Sequence, residues 1–364
     1  MLRLLMAGLK GALRQPYLAH CRRRGRLVRP LILDYAVTWR CNARCLMCDT
    51  WRTGAENPEE AAAELDPAEL DRILARDAEF LRGVRKIGLT GGEPFLRSDL
   101  VELIRVLRRR LPDSRISVVS NGLLSQRILK ALERIREFFP ELIFSVSLDG
   151  VGPVHDQVRG IPGAYDKALA TIKGARELGF TVTSGMTISQ VNYDQVQPLS
   201  SLLAQLGVDF SCNLQERGAN FHNQGRAQEL DPEQKRLLHQ SLAGFSHHYY
   251  MDHVRRQLEG RPRTLPCYSG FTSYFITPRG EVNFCNLIDR PLGNLRREPF
   301  RAIADKPETW RMRRELLDCK CWSQCEVKNS AAVAPWHVLA WMLGKPDKLA
   351  FLKHYAKKTG LMPH

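Results

Sequence analysis

Ten cysteines are distributed so unevenly that they divide the chain. Cys41, Cys45 and Cys48 form one group. Cys267, Cys285, Cys319, Cys321 and Cys325 form a second, with only Cys212 between the groups and Cys21 ahead of both. Thiols grouped in this way read as metal ligands before disulfides when nothing marks the chain for export. Lys10 and Arg14 interrupt the apolar N-terminus too early for a secretory signal, and no run of 18 apolar residues offers a membrane span. A cytoplasmic protein with two metal sites flanking one large domain is the simplest expectation.

Six runs rich in β-branched and apolar residues recur at 31–39, 86–89, 116–120, 142–148, 181–188 and 208–214. Helical patterns separate them. Asp66-Pro67-Ala68-Glu69 is a helix start, with an N-cap acid and proline at the first helical position, then Leu70, Ile73 and Leu74 on one face. Leu100, Leu103, Ile104 and Leu107 repeat the pattern behind Ser98 or Asp99. Alternating strands and helices predict a parallel sheet with right-handed crossovers. Six units over 31–225 fit an α/β fold, a partial (β/α)6 TIM-type barrel, because a closed eightfold barrel needs about 250 residues. The active site then lies at the C-terminal strand ends. The rest divides into a basic arm (1–30), a helical link (226–265), a small unit (266–330) with a β-hairpin around Pro278-Arg279-Gly280, and a basic helical tail (331–364).

Cys41-x3-Cys45-x2-Cys48 directly follows the first strand. Three thiolates on one short loop can hold three irons of a [4Fe–4S] cube and leave the fourth open to a small molecule. A thioredoxin-type pair lacks the third cysteine, and zinc would want a fourth ligand that no nearby histidine supplies.

This loop resembles that of the radical S-adenosylmethionine (SAM) superfamily, and the likeness extends along most of the chain. Thr90-Gly91-Gly92-Glu93-Pro94 matches the family's segment after the second strand, where Gly91, Gly92 and Glu93 are expected to bind the SAM amino group. Ser120 and Asn121 end the third strand, where the family contacts the SAM ribose or carboxylate. Ser147-Leu148-Asp149-Gly150, followed by His155, Asp156 and Arg159, is typical of the branch with C-terminal auxiliary clusters. Thr187, on the fifth strand, falls in the adenine-contacting stretch, and Met47 takes a place that is often aromatic.

The second cysteine group resembles the auxiliary-cluster domain called SPASM, or its shortened form, twitch. A full domain uses seven or eight cysteines for two clusters. Five are present here, so one auxiliary [4Fe–4S] cluster is expected. Cys267, Cys285 and Cys325 are its ligands by position, with Cys321 favoured over Cys319 as the fourth. Four thiolates would also suit zinc. Cys212 is expected to be a small buried residue whose strand end faces the reaction chamber, and Cys21 has no evident partner.

The resemblance implies reductive cleavage of SAM at the first cluster to a 5′-deoxyadenosyl radical that abstracts hydrogen from a substrate carbon. The auxiliary cluster would assist electron transfer, and flavodoxin or ferredoxin would serve as reductant. The substrate is expected to be small, lipid-linked or saccharide-like. The alternative is a peptide-modifying maturase, made less favoured by the roughly 30 residues ahead of the barrel where many carry a leader-binding domain. A nucleic-acid modifier comes last, since the net charge of +15 is not accompanied by basic residues interleaved with aromatics. Glu216 and Arg217, just past the sixth strand, are candidate substrate contacts. At the termini, Leu2, Leu5, Met6, Leu9 and Leu13 form an apolar stripe beside Arg3, Lys10 and Arg14, and Trp336, Leu339 and Trp341 precede a lysine-rich tail. Both segments could pack on the barrel or lie on an anionic inner-membrane face.

Overall fold

The computed structural model describes residues 14–344, apart from 57–58, 60–62, 219–222, 224–228 and 246–247. Six parallel strands follow the predicted order: β1 (Ile32–Thr38), β2 (Lys86–Gly91), β3 (Arg115–Ser120), β4 (Ile143–Ser147), β5 (Thr181–Ile188) and β6 (Asp209–Leu214). Their outward side chains are large and apolar and pack beneath the crossover helices, as with Leu33, Ile87, Leu89, Ile116, Val118 and Phe144. Many inward positions are small or polar, including Gly88, Ser117, Ser145, Ser147, Gly185 and Ser211, with Ile32, Val119 and Ile143 as exceptions. This alternation makes a wall with a dry exterior and a roomy interior.

The crossover helices start where expected. Asp66 and Glu69 form a reciprocal capping box on the helix Pro67–Arg76, whose Leu70, Ile73 and Leu74 are buried. Asp99 is the cap residue of the helix Leu100–Arg110, but its carboxylate bonds Arg97 rather than the helix. Fully buried Leu103 and Ile104 there each contribute roughly 1.5–3 kcal/mol by leaving water.

The hairpin of the small unit is present as β7 (Ser273–Ile276) and β8 (Glu281–Asn283), with β9 (Gly293–Asn294) beside it. It does not form a sheet of its own. β7 pairs in parallel with β1, giving one nine-stranded sheet in the order β6-β5-β4-β3-β2-β1-β7-β8-β9. The auxiliary unit is therefore a sideways extension of the barrel wall. The link contains two helices, Pro232–Leu242 and Tyr249–Leu258, rather than one.

The helix Gln324–Val333 spans the space between the first and last barrel strands. Gln324 Nε2 donates to the Cys212 carbonyl (2.9 Å) and Lys328 Nζ to Ser211 Oγ (3.2 Å) on β6. On the other side Asn329 donates to Asp34 Oδ2 (2.7 Å) on β1 and accepts from Lys86 Nζ (2.9 Å) on β2. Gly88 makes room for this: a Cβ there would sit 2.6 Å from Asp34 Oδ1.

Residues 14–24 are helical and packed. Leu18 and Cys21 are buried in an apolar cluster with Val28, Tyr268, Val327 and Ala331, which accounts for Cys21. Within the tail, Trp341 Nε1 donates to Asp252 Oδ2 (2.6 Å), and the Trp336 amide donates to Gln15 Oε1 (2.8 Å). The stripe Leu2–Leu13 and the lysines beyond 344 lie outside the described residues. Among the described residues no helix is long and apolar enough to cross a membrane.

Candidate functional site

The three-cysteine loop leaves β1 and is clamped by backbone on two sides. Gly92 N donates to the Thr38 carbonyl (2.8 Å) and Glu93 N to that of Arg40 (2.7 Å). A Cβ on Gly91 would lie 2.2 Å from Thr38 O, and one on Gly92 2.1 Å from Arg40 O. The glycine pair is therefore required by the close approach of two chain segments, whatever else it contacts. On the other side, Arg44 N and Leu46 N donate to the carbonyls of Arg159 and Val158 (both 2.9 Å), at the end of the helix Pro153–Arg159.

Glu93 is fully buried. Its carboxylate accepts from Phe95 N (3.1 Å), Ser120 Oγ (2.9 Å) and Asn121 N (2.7 Å), tying the end of β2 to the end of β3. Burial raises it to about 7 despite these donors. The expected carboxylate facing an ammonium is thus largely engaged within the protein. Asn121 in turn reaches the cysteine loop, with Nδ2 2.8 Å from Asn42 Oδ1 and 3.8 Å from Cys41 Sγ.

Asp149 is also fully buried. Its Oδ1 accepts from Thr187 N (2.8 Å), and its Oδ2 lies 2.7 Å from Arg159 Nη2. Arg159 Nη1 lies 3.5 Å from Cys45 Sγ. His155 Nδ1 accepts from Asp149 N (2.9 Å); burial, reinforced by Arg159, lowers this imidazole to about 3 and keeps it neutral. Asp156 accepts from Gly163 N and Tyr165 N (2.7 Å each), so it organises the start of the next helix rather than the site. Met47 packs with Ala43, Cys45, Leu123, Val158 and Ala164.

Two site asparagines had no recognisable spacing in the sequence. Asn192 Nδ2 donates to the carbonyls of Asp149 (2.7 Å) and Thr187 (3.0 Å). Asn223 Nδ2 donates to those of Met47 (2.8 Å) and Glu216 (3.0 Å), binding the cysteine loop to the segment after β6. Glu216 is raised to about 7 by burial, offset by a hydrogen bond with Ser323 and by Arg263. It therefore faces the second cysteine group. Arg217 is exposed.

In that group Cys319 lies within hydrogen-bonding reach of both Cys267 and Cys321, and Cys285 is an electrostatic neighbour of Cys267. Cys325 has Asp34, Glu326, Lys328 and Lys86 as charged neighbours, and desolvation raises its thiol to about 12. The helix that begins at Gln324 turns this sulfur toward the barrel. Cys319, the less favoured of the pair by sequence, thus lies beside both Cys321 and Cys267. Cys212 is buried as expected, on the outward face, where it pairs with Met186 and its sulfur lies 3.2 Å from Met251 Sδ.

Among the described residues no three ligating side chains already surround one ion position. The donor sets nevertheless suit thiolate-held clusters. Burial raises Cys41 to about 12 and Cys45 upward, so bare thiolates are disfavoured and a bound cation offsets that cost. Arg263 is 1% exposed, with Nε and Nη1 lacking acceptors, and it sits among Cys267, Cys321 and Cys319. A buried cation with unfilled donors favours an anion beside it, and a tetrathiolate cluster carries net negative charge.

Residues 35–203 match the model of the radical SAM superfamily, and residues 267–326 match that of an iron–sulfur cluster-binding domain, SPASM. The sporulation killing factor maturation protein SkfB of Bacillus subtilis is 26% identical over 82% of this chain and 71% of its own length. An AdoMet-dependent heme synthase of Methanosarcina barkeri is 28% identical over 83% and 90%. The solved structure of Streptococcus suis SuiB superposes with a TM-score of 0.61 at 15% identity, over 81% of this chain and 70% of that one, a likeness of fold. The chain belongs to the radical SAM superfamily of enzymes, with a SPASM iron–sulfur domain following its partial barrel.

Proposed function

We propose that this enzyme removes hydrogen from an unactivated carbon of a peptide, in a chamber served from opposite sides by the two cysteine groups. The observation that carries the reading is the helix Gln324–Val333, which leaves the second group and lies across the strands that position the first. When bound, a [4Fe–4S] cluster with SAM supplies one-electron cleavage of the sulfonium and so a radical able to abstract hydrogen. Cys41, Cys45 and Cys48 would hold that cluster. Gly91, Gly92, Glu93, Ser120, Asn121, Asp149, Thr187 and Met47 frame the strand ends beside it, and Arg159 neutralises charge at Cys45. Cys267, Cys285, Cys319 and Cys321 would hold the auxiliary cluster. Small inward residues such as Ser117, Ser145 and Gly185 leave room for substrate, and the apolar exterior limits water.

A peptide substrate is supported by the likeness to SkfB, a maturation protein, over most of the chain. The test is anaerobic incubation of reconstituted enzyme with SAM, dithionite and a short peptide encoded beside its gene. The expected result is 5′-deoxyadenosine together with a peptide lighter by two hydrogens. SAM cleavage with the peptide unchanged, while a saccharide or lipid-linked extract loses hydrogen, would overturn the peptide reading.

A further inference from the structure

Outside the second cysteine group lies a recess of about 230 Å³ lined by Arg22, Arg23, Arg24, Arg313, Arg314 and Trp310, with no carboxylate in its lining. Arg22 and Arg313 are structural. Arg22 Nε donates to the Cys267 carbonyl (2.8 Å) and its Nη2 to that of Leu317. Arg313 is 2% exposed, donates to the carbonyls of Gly270 and Ala304 and to Tyr274 Oη, and stacks 4.1 Å from the Trp310 ring. Arg23, Arg24 and Arg314 are exposed, and none forms an ion pair among the described residues. Asp318 is within electrostatic reach of Arg22 but does not line the recess.

The position matters as much as the charge. One side chain, Arg22, touches both the recess and the peptide group of Cys267, and Leu317 at the recess wall is two residues from Cys319. A partner seated here is one residue layer from the auxiliary thiols. We propose that this recess is the docking surface for an acidic protein carrying a one-electron centre. Its electron passes to the auxiliary cluster, so the donor is oxidised by one electron and the cluster reduced by one. This rests on the auxiliary-cluster assignment above. Opposed charge over this patch raises the encounter rate and makes it fall with ionic strength. Arg23, Arg24 and Arg314 steer, while Arg22 and Arg313 hold the wall in place.

The test compares the reconstituted protein with its R23E/R24E/R314E variant. Binding of oxidised flavodoxin is measured by titration at low and high salt, and cluster reduction by reduced flavodoxin and by dithionite is followed optically. The wild type should bind flavodoxin at least tenfold more tightly at low salt than at high salt. The variant should lose at least tenfold in affinity and in flavodoxin-driven rate, with dithionite reduction and iron content unchanged. Should the triple variant fold poorly, R24Q alone is expected to lose severalfold in affinity and to show a shallower salt dependence. Salt-independent binding by the wild type, or equal binding by a folded variant, would overturn the proposal. So would intact flavodoxin binding with lost flotation on anionic vesicles, which would give the patch to lipid. Iron for a single cluster in the wild type would instead fail the auxiliary assignment.

Discussion

Arg159 Nη2 lies 2.7 Å from Asp149 Oδ2 while the same guanidinium reaches Cys45 Sγ at 3.5 Å. One buried cation thus joins the end of β4 to the middle of the three-cysteine loop. Asp149 also fixes β5 through Thr187 N, so three structural elements share this node. The aspartate, histidine and arginine that follow the fourth strand thus have distinct roles: His155 holds the Asp149 backbone, and Arg159 carries the contact to sulfur.

Arg159→Met should destabilise the apoprotein by about 3–5 kcal/mol, because it leaves Asp149 buried without its cation. Urea unfolding checks the cost. Iron retention at the first cluster should fall as well. Arg159→Lys should recover part of the stability but not the reach to Cys45. Wild-type stability in the Met variant would deny the pair its structural role.

Cys325→Ala should retain iron for both clusters, whereas Cys319→Ala or Cys321→Ala should lose the auxiliary one. Iron analysis and electron paramagnetic resonance of the reduced proteins separate the cases. Loss of the auxiliary signal in Cys325→Ala would restore that residue as a ligand.

Glu216 is raised from its ordinary range to about 7 by burial. The folded state therefore holds this proton more tightly than the unfolded state does. Its contribution to stability is complete below about pH 4.5 and is lost as pH rises through about 7. Glu216→Gln removes that dependence, so the variant should gain on the wild type between pH 5 and 8. Urea unfolding of both apoproteins at the two pH values measures it, and parallel pH profiles would contradict it.

Asn329→Leu should cost about 1–3 kcal/mol by leaving Asp34 and Lys86 without their shared partner. If the 324–333 helix couples the two cysteine groups, substrate turnover should fall more than SAM cleavage without substrate. Equal loss of both would mean the contact is only a prop.

The order of strands and helices was legible in the sequence because it depends on local periodicity. The apolar runs of the strands and the Asp66-Pro67 helix start are written within a few residues of where they act. The Cys41–Cys48 spacing and the Gly91-Gly92-Glu93 segment likewise announce their chemistry locally. Tertiary structure decided the rest, because partner choice depends on elements far apart in the chain. Cys325 lies four residues from Cys321, yet the helix between barrel strands β1 and β6 gives it Asp34 and Lys86 as neighbours. That Glu93 is also held by Ser120 and Asn121 became visible only once the end of β3 folded over it. The hairpin joined β1 instead of standing alone because the edge of β1 opposite β2 offered an unpaired row of backbone groups. Asn192 and Asn223 each hold a local turn, but their bonds to the Asp149 and Met47 carbonyls reach oxygens that only the closed fold brings within range.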